Sequence, residues 1–222
     1  YFENTDNTSE TIDMVFNKKR PNDRKEWLSN YDRNAYLNTT KQNVTYEEFI
    51  HNDMIHFSKY DNDRSIPNLC DGLKISLRKI LYSAFKKKLN SITRLIYPEI
   101  DDNILTYLED DGDKVEPIFY IPIIPMILVN GTKGIGTGFS TDIMCYNPLQ
   151  IIDYLKRLLN NNTQNKESVL IEPYYKNFKG KIYPSDDTRK KYIIKGCYEI
   201  LGSDKIRITE LPIGTWTQDY KK

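Results

Sequence analysis

The sequence predicts an α+β protein built of more than one domain, and two observations carry that reading. Before about residue 140, apolar residues recur at helical spacing: Leu77, Ile80, Leu81 and Ala84 fall at i, i+3, i+4 and i+7, one buried face. After it, short runs rich in Ile, Tyr and Thr ("KGKIYP", "KYIIKGCYEI", "KIRITELP") read as strands, with "LGSD" turning between the last two. At 222 residues the chain has room for one large domain or two modest ones, each with a core.

Taken in order, "YFENTDNTSETI" is polar and reads as irregular. "ETIDMVFNKKRPNDRKEWLSNY" offers two short helices split by Pro21, with Asn22 or Asp23 able to cap the second. "NAYLNTTKQN" is a loop. "VTYEEFIHNDMIHFSKY" is a helix opened by a capping box from Thr45 to Glu48. The loop "DNDRSIPNLCDG" then leads to the patterned helix "LKISLRKILYSAFKK". Past residue 139, "YNPLQIIDYLKRLLN" is a helix with Asn147 as cap and Pro148 at its first position, followed by the loop "NNNTQNKES".

Composition excludes several classes. The longest apolar run, "IFYIPIIPMILV", is too short to span a bilayer, which takes roughly 18 residues, and it carries two prolines. Cys70, Cys145 and Cys197 are far apart, which argues against a zinc site or disulfide framework and suits a reducing compartment. His51 and His56 have no metal-binding or catalytic pattern around them. The acidic stretch with Asp110, Asp111 and Asp113 departs from the calcium-loop pattern and reads as a solvated turn. No metal site is expected.

The net charge of +1 exerts no global pull on polyanions, so any such contact must be local. One place qualifies. Between Asp71 and Glu99 there is no acid, whereas Lys74, Arg78, Lys79, Lys86, Lys87, Lys88 and Arg94 all fall there, with Arg64 just upstream. A basic helix with its own electropositive N-terminus suits phosphodiester oxygens; a merely solvated basic face is the alternative. "PYYKNFKGK" interleaves Lys176 and Lys179 with aromatics, as a backbone-contacting surface or a packed strand would.

The stretch "NGTKGIGTGFS" contains four glycines, with Ile135 between two of them. It matches neither a P-loop nor a dinucleotide fingerprint. Two readings stay open. The glycines could let the backbone approach a duplex and present Ile135 as a wedge between base steps, or the loop is a tight turn with Ile135 tucked inward.

"DRKEWL", "RSIPNLCDGLK" with "LRKIL", "EPIFYIPIIPMILVNGTKGIGTGF", "PYYKNFKG" and "ITELPIGTWTQ" together closely resemble eukaryotic DNA topoisomerase II, in that family's order and across nearly the whole chain. The resemblance implies a type IIA enzyme. Such an enzyme cuts both strands of a duplex through a tyrosine joined to the 5′-phosphate, passes a second duplex, and reseals. It uses Mg2+ held by a Toprim domain, and ATP bound by an N-terminal domain, both expected outside these residues. It acts as a homodimer on double-stranded DNA in the nucleus, with no membrane association.

The resemblance also distributes roles. Residues 1–30 would be the C-terminal tail of the Toprim domain, 31–61 connecting helices, 62–139 a winged-helix domain, and 140–222 the start of the α/β tower. Arg64, Lys74, Arg78 and Lys79 match DNA-contacting positions, and Ile135 matches the isoleucine that intercalates and bends the duplex. Lys133, Lys176 and Lys179 are further candidates for backbone contact.

The pattern breaks near Lys87–Lys88, where "FKK" joins "KLNSITRLIY" directly and a domain's worth of family residues has no counterpart. The nucleophilic tyrosine belongs to that stretch, so no catalytic residue is expected here; Tyr82 and Tyr97 fall in other motifs. Leu77 stands where the family has a polar residue. If the missing stretch is a real deletion, the chain would instead be a non-catalytic DNA-binding and bending module.

Overall fold

The computed structural model describes residues 1–88, 92–160, 171–186 and 191–222. The chain divides into two compact units, residues 1–167 and 168–222. Both helix and strand occur in the first unit, as an α+β fold requires, and the division falls well after residue 140.

The first unit opens less irregularly than its polar sequence suggests. Strand β1 (Phe2–Glu3) runs parallel to β2 (Val44–Thr45), and helix α1 (Thr8–Phe16) starts directly after. Helix α2 (Pro21–Ser29) holds Pro21 in its first turn, so neither Asn22 nor Asp23 is the cap. Proline has no N–H to leave unsatisfied there, and its fixed φ suits a helix start.

The capping box forms as expected. Thr45 Oγ1 accepts from Glu48 N at 3.1 Å, and Glu48 Oε2 accepts from Thr45 N at 3.2 Å. It starts helix α3 (Tyr46–Phe49), which passes through a π turn (Ile50–Met54) into α4 (Ile55–Ser65). The π turn explains why Ile50 and Ile55, five apart, are both buried: i and i+5 align there instead of i and i+4. With Val15, Trp27 and Leu28 they form one core. The helix also runs past Tyr60, so Arg64 lies in its last turn and not in a loop.

Helix α5 (Ile75–Lys86) forms, but with another face inward. Leu77 is 48% exposed and Ile80 66%, while Arg78 and Phe85 are buried and Leu81 is half-buried. Those three fall at i, i+3 and i+7, a helical stripe rotated from the one the apolar spacing indicated. Arg78 sets the rotation, through the ion pair described below.

Phe85 meets Tyr97 and Tyr120 edge-on, and Leu73, Leu81, Ile96, Leu105 and Met126 complete a second core. Arg94, from α6 (Thr93–Ile96), lays its guanidinium 3.7 Å from the Phe85 ring centroid and grips Asp102 through two hydrogen bonds of 2.9 Å.

A hairpin follows, β3 (Tyr107–Asp110) and β4 (Asp113–Pro117), unmarked by hydrophobic alternation. Its turn, Asp111–Gly112, takes φ of 49° and 84°, the left-handed pair a tight hairpin prefers. Helix α7 (Met126–Asn130) leads into a second hairpin, β5 (Thr132–Ile135) and β6 (Ser140–Ile143). Helix α8 (Pro148–Leu159) is capped as expected, Asn147 Oδ1 accepting from Leu149 N at 2.9 Å. The loop expected after Asn160 lies outside the described residues up to Leu170.

The second unit is mainly strand: β7 (Lys181–Pro184) pairs with β8 (Tyr192–Lys195), and β9 (Cys197–Ile200) with β10 (Ile206–Glu210), before a short α9 (Thr217–Tyr220). "KYIIKGCYEI" is thus two strands, divided at Gly196. A side chain there would run into the Glu210 carbonyl.

Candidate nucleic-acid interface

The β5–β6 hairpin and the start of α5 bring several of the expected residues together. In β5, side chains alternate between two faces. Gly134 and Gly136 face α4: a Cβ on Gly134 would collide with the Ser65 carbonyl, and one on Gly136 with Asn62 Oδ1. Gly138 sits against Arg24 of α2, where an added Cβ would lie 2.9 Å from Arg24 Cβ, and it also takes a φ of 76°. The glycines therefore let the hairpin lie against helices of its own chain. They are not spaced for a duplex.

Ile135, the intervening residue, must then point the other way. It is 74% exposed, so the tucked-in alternative is excluded. The turn at the tip is closed by Gly136 N donating to Phe139 O at 2.9 Å, which holds Ile135 opposite Ser140.

Lys74 lies beside it, at the N-cap of α5, with Nζ donating to the Lys133 carbonyl at 3.1 Å. Lys133 carries its own ammonium outward, 3.4 Å from Asp142 across the strand pair, and both side chains are strongly exposed. Arg64 ends α4 and is exposed; among the described residues no acid lies within ion-pair distance of it. Lys79, one turn into α5, is exposed but 3.5 Å from the buried Glu116 carboxylate, whose charge it helps offset.

Arg78 departs from expectation. Its guanidinium is buried, donating from Nε to Asp71 Oδ2 at 2.8 Å and from Nη2 to Asp71 Oδ1 at 3.0 Å and the Leu73 carbonyl at 2.9 Å. Asp71 is wholly buried and also accepts from the backbone of Leu73 and Tyr120, each at 2.9 Å. Both carboxylate oxygens are thus satisfied twice over. Arg78 organises the start of the basic helix from inside and does not reach its surface. The acid seven residues before it, outside the helix, was the available sequence signal.

Lys176 and Lys179 belong to the second unit and are exposed. There Glu210 Oε2 accepts from Lys179 N at 2.8 Å and fixes the turn, leaving the lysine side chains outward.

Three tyrosines around the basic helix, Tyr82, Tyr97 and Tyr120, are engaged in the fold. Burial among Phe85 and Tyr120 pushes the Tyr97 hydroxyl up to about 12, and Tyr120 rises for the same reason, so both hold their protons more tightly than usual. Tyr82 donates to the Lys114 carbonyl at 3.0 Å. The histidines are structural: His51 Nδ1 accepts from Trp27 at 3.1 Å, and His56 packs on Tyr31 and Tyr36. Among the described residues no three His, Cys, Asp or Glu converge to hold a metal, and no helix is long and apolar enough to cross a membrane.

Comparison with known proteins adds independent findings. Residues 85–222 match the family of DNA gyrase and topoisomerase IV A-subunits, and residues 1–62 match the C-terminal associated domain of TOPRIM, beyond the 1–30 expected. The chain is 35% identical to "DNA topoisomerase 2" of Plasmodium falciparum and 35% to that of Arabidopsis thaliana, over 98% and 96% of its length. It spans only 20% and 19% of those relatives. It is also similar to the crystal structure of the Plasmodium falciparum topoisomerase II DNA-binding, cleavage and re-ligation domain, with 34% identity, a TM-score of 0.74, and coverage of 99% of this chain and 39% of that one. The alignment with the Plasmodium relative extends over 291 residues, more than the 222 present here, so that relative carries sequence without a counterpart in this chain.

Proposed function

We propose, because this chain belongs to the type IIA DNA topoisomerase family, that it forms part of a DNA gate: the surface that grips and bends the duplex about to be cut. The observation that carries the reading is the β5–β6 hairpin. An isoleucine is held outward on a braced turn beside Lys74 and Lys133, an apolar wedge with cations at its flank, and Arg64 ends the helix against which the hairpin packs. Wedges of this kind unstack a base step while phosphate contacts hold the flanks.

Within that gate, Arg64, Lys74, Lys79 and Lys133 contact phosphates, Ile135 enters the stack, and Lys176 and Lys179 supply further backbone contacts. Arg78 is left out of the contact set, since its guanidinium is occupied by Asp71. Residues 1–62 belong to the Toprim-associated part, the stretch to 139 to a winged-helix domain, and the rest to the tower. The complete protein is a nuclear homodimer that cleaves, passes and religates DNA with ATP. One of the similar proteins is a mitochondrial DNA topoisomerase 2, so nuclear address is a separate question from activity. Among the described residues no cluster of His, Cys, Asp or Glu fits the Mg2+ of such an enzyme.

The nucleophile lies in sequence absent near Lys87–Lys88. The longer alignment of the relative supports this, as does the exposure of Leu77 and Ile80 on α5 and of Ile92 and Leu95 beside the junction. Those side chains would be costly to leave in water at about 25 cal/mol per Å2 of apolar surface.

The test uses the complete protein with supercoiled DNA and Mg2+, quenched with denaturant. A 5′-phosphotyrosyl adduct is expected, together with loss of both DNA bending and cleavage on Ile135→Ala at nearly unchanged affinity. Bending without any adduct would mean a non-catalytic bending module, and unchanged bending in Ile135→Ala would remove the wedge.

A further inference from the structure

Asn62 lies on α4, and 92% of it is buried against the hairpin that carries Ile135. Its Nδ2 donates to the Thr137 carbonyl at 2.9 Å, a bond spanning 75 residues of sequence. Its Oδ1 has no hydrogen-bond partner among the described residues and is pressed against Gly136. Asp61 approaches the Thr137 hydroxyl at 3.5 Å, and the Ser65 carbonyl abuts Gly134. The last two turns of α4 thus touch the hairpin at three successive sites around its tip.

From this we infer that Asn62 is a positioning residue for DNA bending: through Thr137 and Gly136 it fixes the turn whose rigidity lets Ile135 act as a wedge. The inference rests on the wedge reading above and deepens it. Inserting a side chain between stacked bases costs a few kcal/mol, so the wedge must resist being pushed back. The turn's own hydrogen bonds close it but do not tie it to the body of the protein. The Asn62 side chain does. Gly136 is required for the same reason, because any side chain there would displace the carboxamide from the turn.

The chemistry separates this role from simple packing. Asn62→Asp keeps size and shape but replaces the donor that meets the Thr137 carbonyl with an acceptor, so two oxygens would face each other. If only volume mattered, Asn62→Asp would resemble the wild type. If the donor matters, it behaves like Asn62→Ala.

The experiment measures DNA bend angle by energy transfer, binding by anisotropy, and hydrogen exchange across residues 134–139, all in the complete protein. For Asn62→Ala and Asn62→Asp alike, exchange in the hairpin is expected to rise about five- to tenfold. Bending should fall toward that of Ile135→Ala while affinity changes little. Adding Asn62→Ala to Ile135→Ala should reduce bending no further, since both act through one wedge. Normal bending in Asn62→Asp would overturn the inference, as would exchange unchanged from wild type. If Ile135→Ala itself bends normally, the wedge reading fails and this role with it. A rise in hairpin exchange alone would then leave Asn62 only a structural tie.

Discussion

At the start of α5 an arginine is buried, while on the nearby β5–β6 hairpin an isoleucine stands in water, each in the other's customary place. The two sites invert the usual rule by different means. Arg78 is tolerated inside because Asp71 receives two of its N–H groups, and the backbone of Leu73 and Tyr120 satisfies what remains of the carboxylate. Ile135 is tolerated outside because the glycines on either side bind the hairpin to α4, which leaves the residue between them no inward direction. Residue type sets the cost of a location, and neighbours decide whether that cost is met. A charged group held by three hydrogen bonds is a structural element; an apolar group left 74% exposed is available for a partner.

The largest effect is expected at Arg78. Replacing it with Ala leaves Asp71 buried without its counterion, and removing one partner of a buried pair costs about 3–5 kcal/mol. Denaturant unfolding should show that loss, with the second core around Phe85 and Tyr120 disturbed. A change below about 0.5 kcal/mol, the usual range for surface sites, would mean Arg78 is a surface cation after all. Ile135→Ala should do the reverse, leaving unfolding free energy within about 0.5 kcal/mol while affecting bending.

A smaller effect sharpens the contrast among the exposed cations. Each lysine or arginine that neutralises a phosphate contributes about 0.9 to the slope of log affinity against log salt. Arg64→Ala should lower the slope by close to that amount for every DNA sequence. Lys79→Ala should lower it less, because Lys79 also serves the buried Glu116. Equal slopes for the two would show that the Glu116 contact does not persist on DNA, and a loss that depended on DNA sequence would count against backbone contact altogether.

Much of the local structure was legible in the residues themselves. Thr45 and Glu48 announce their capping box, Asn147 and Pro148 their helix start, and "LGSD" its turn, because each depends on atoms only a few bonds apart. The β3–β4 hairpin was missed because strands of that length carry little alternation, although Asp111–Gly112 is a strong turn signal. The rotation of α5 was illegible for another reason. Apolar spacing assumes that the arginine faces out, and only the position of Asp71 shows otherwise.

By itself, the sequence determined the mix of helix and strand, the concentration of positive charge in one acid-free window, and the motifs that place the chain in its family. These follow from composition and short-range order, which need no knowledge of what lies opposite. Which cations face solvent, why the glycines are spaced as they are, and whether Ile135 points in or out were decided only by tertiary contact. Asp71 with Arg78, Asn62 with Thr137, and Ser65 with Gly134 are meetings across 7, 75 and 69 residues. The physical reason is that burial and hydrogen bonding belong to pairs of groups, and a linear string does not state its long-range pairs.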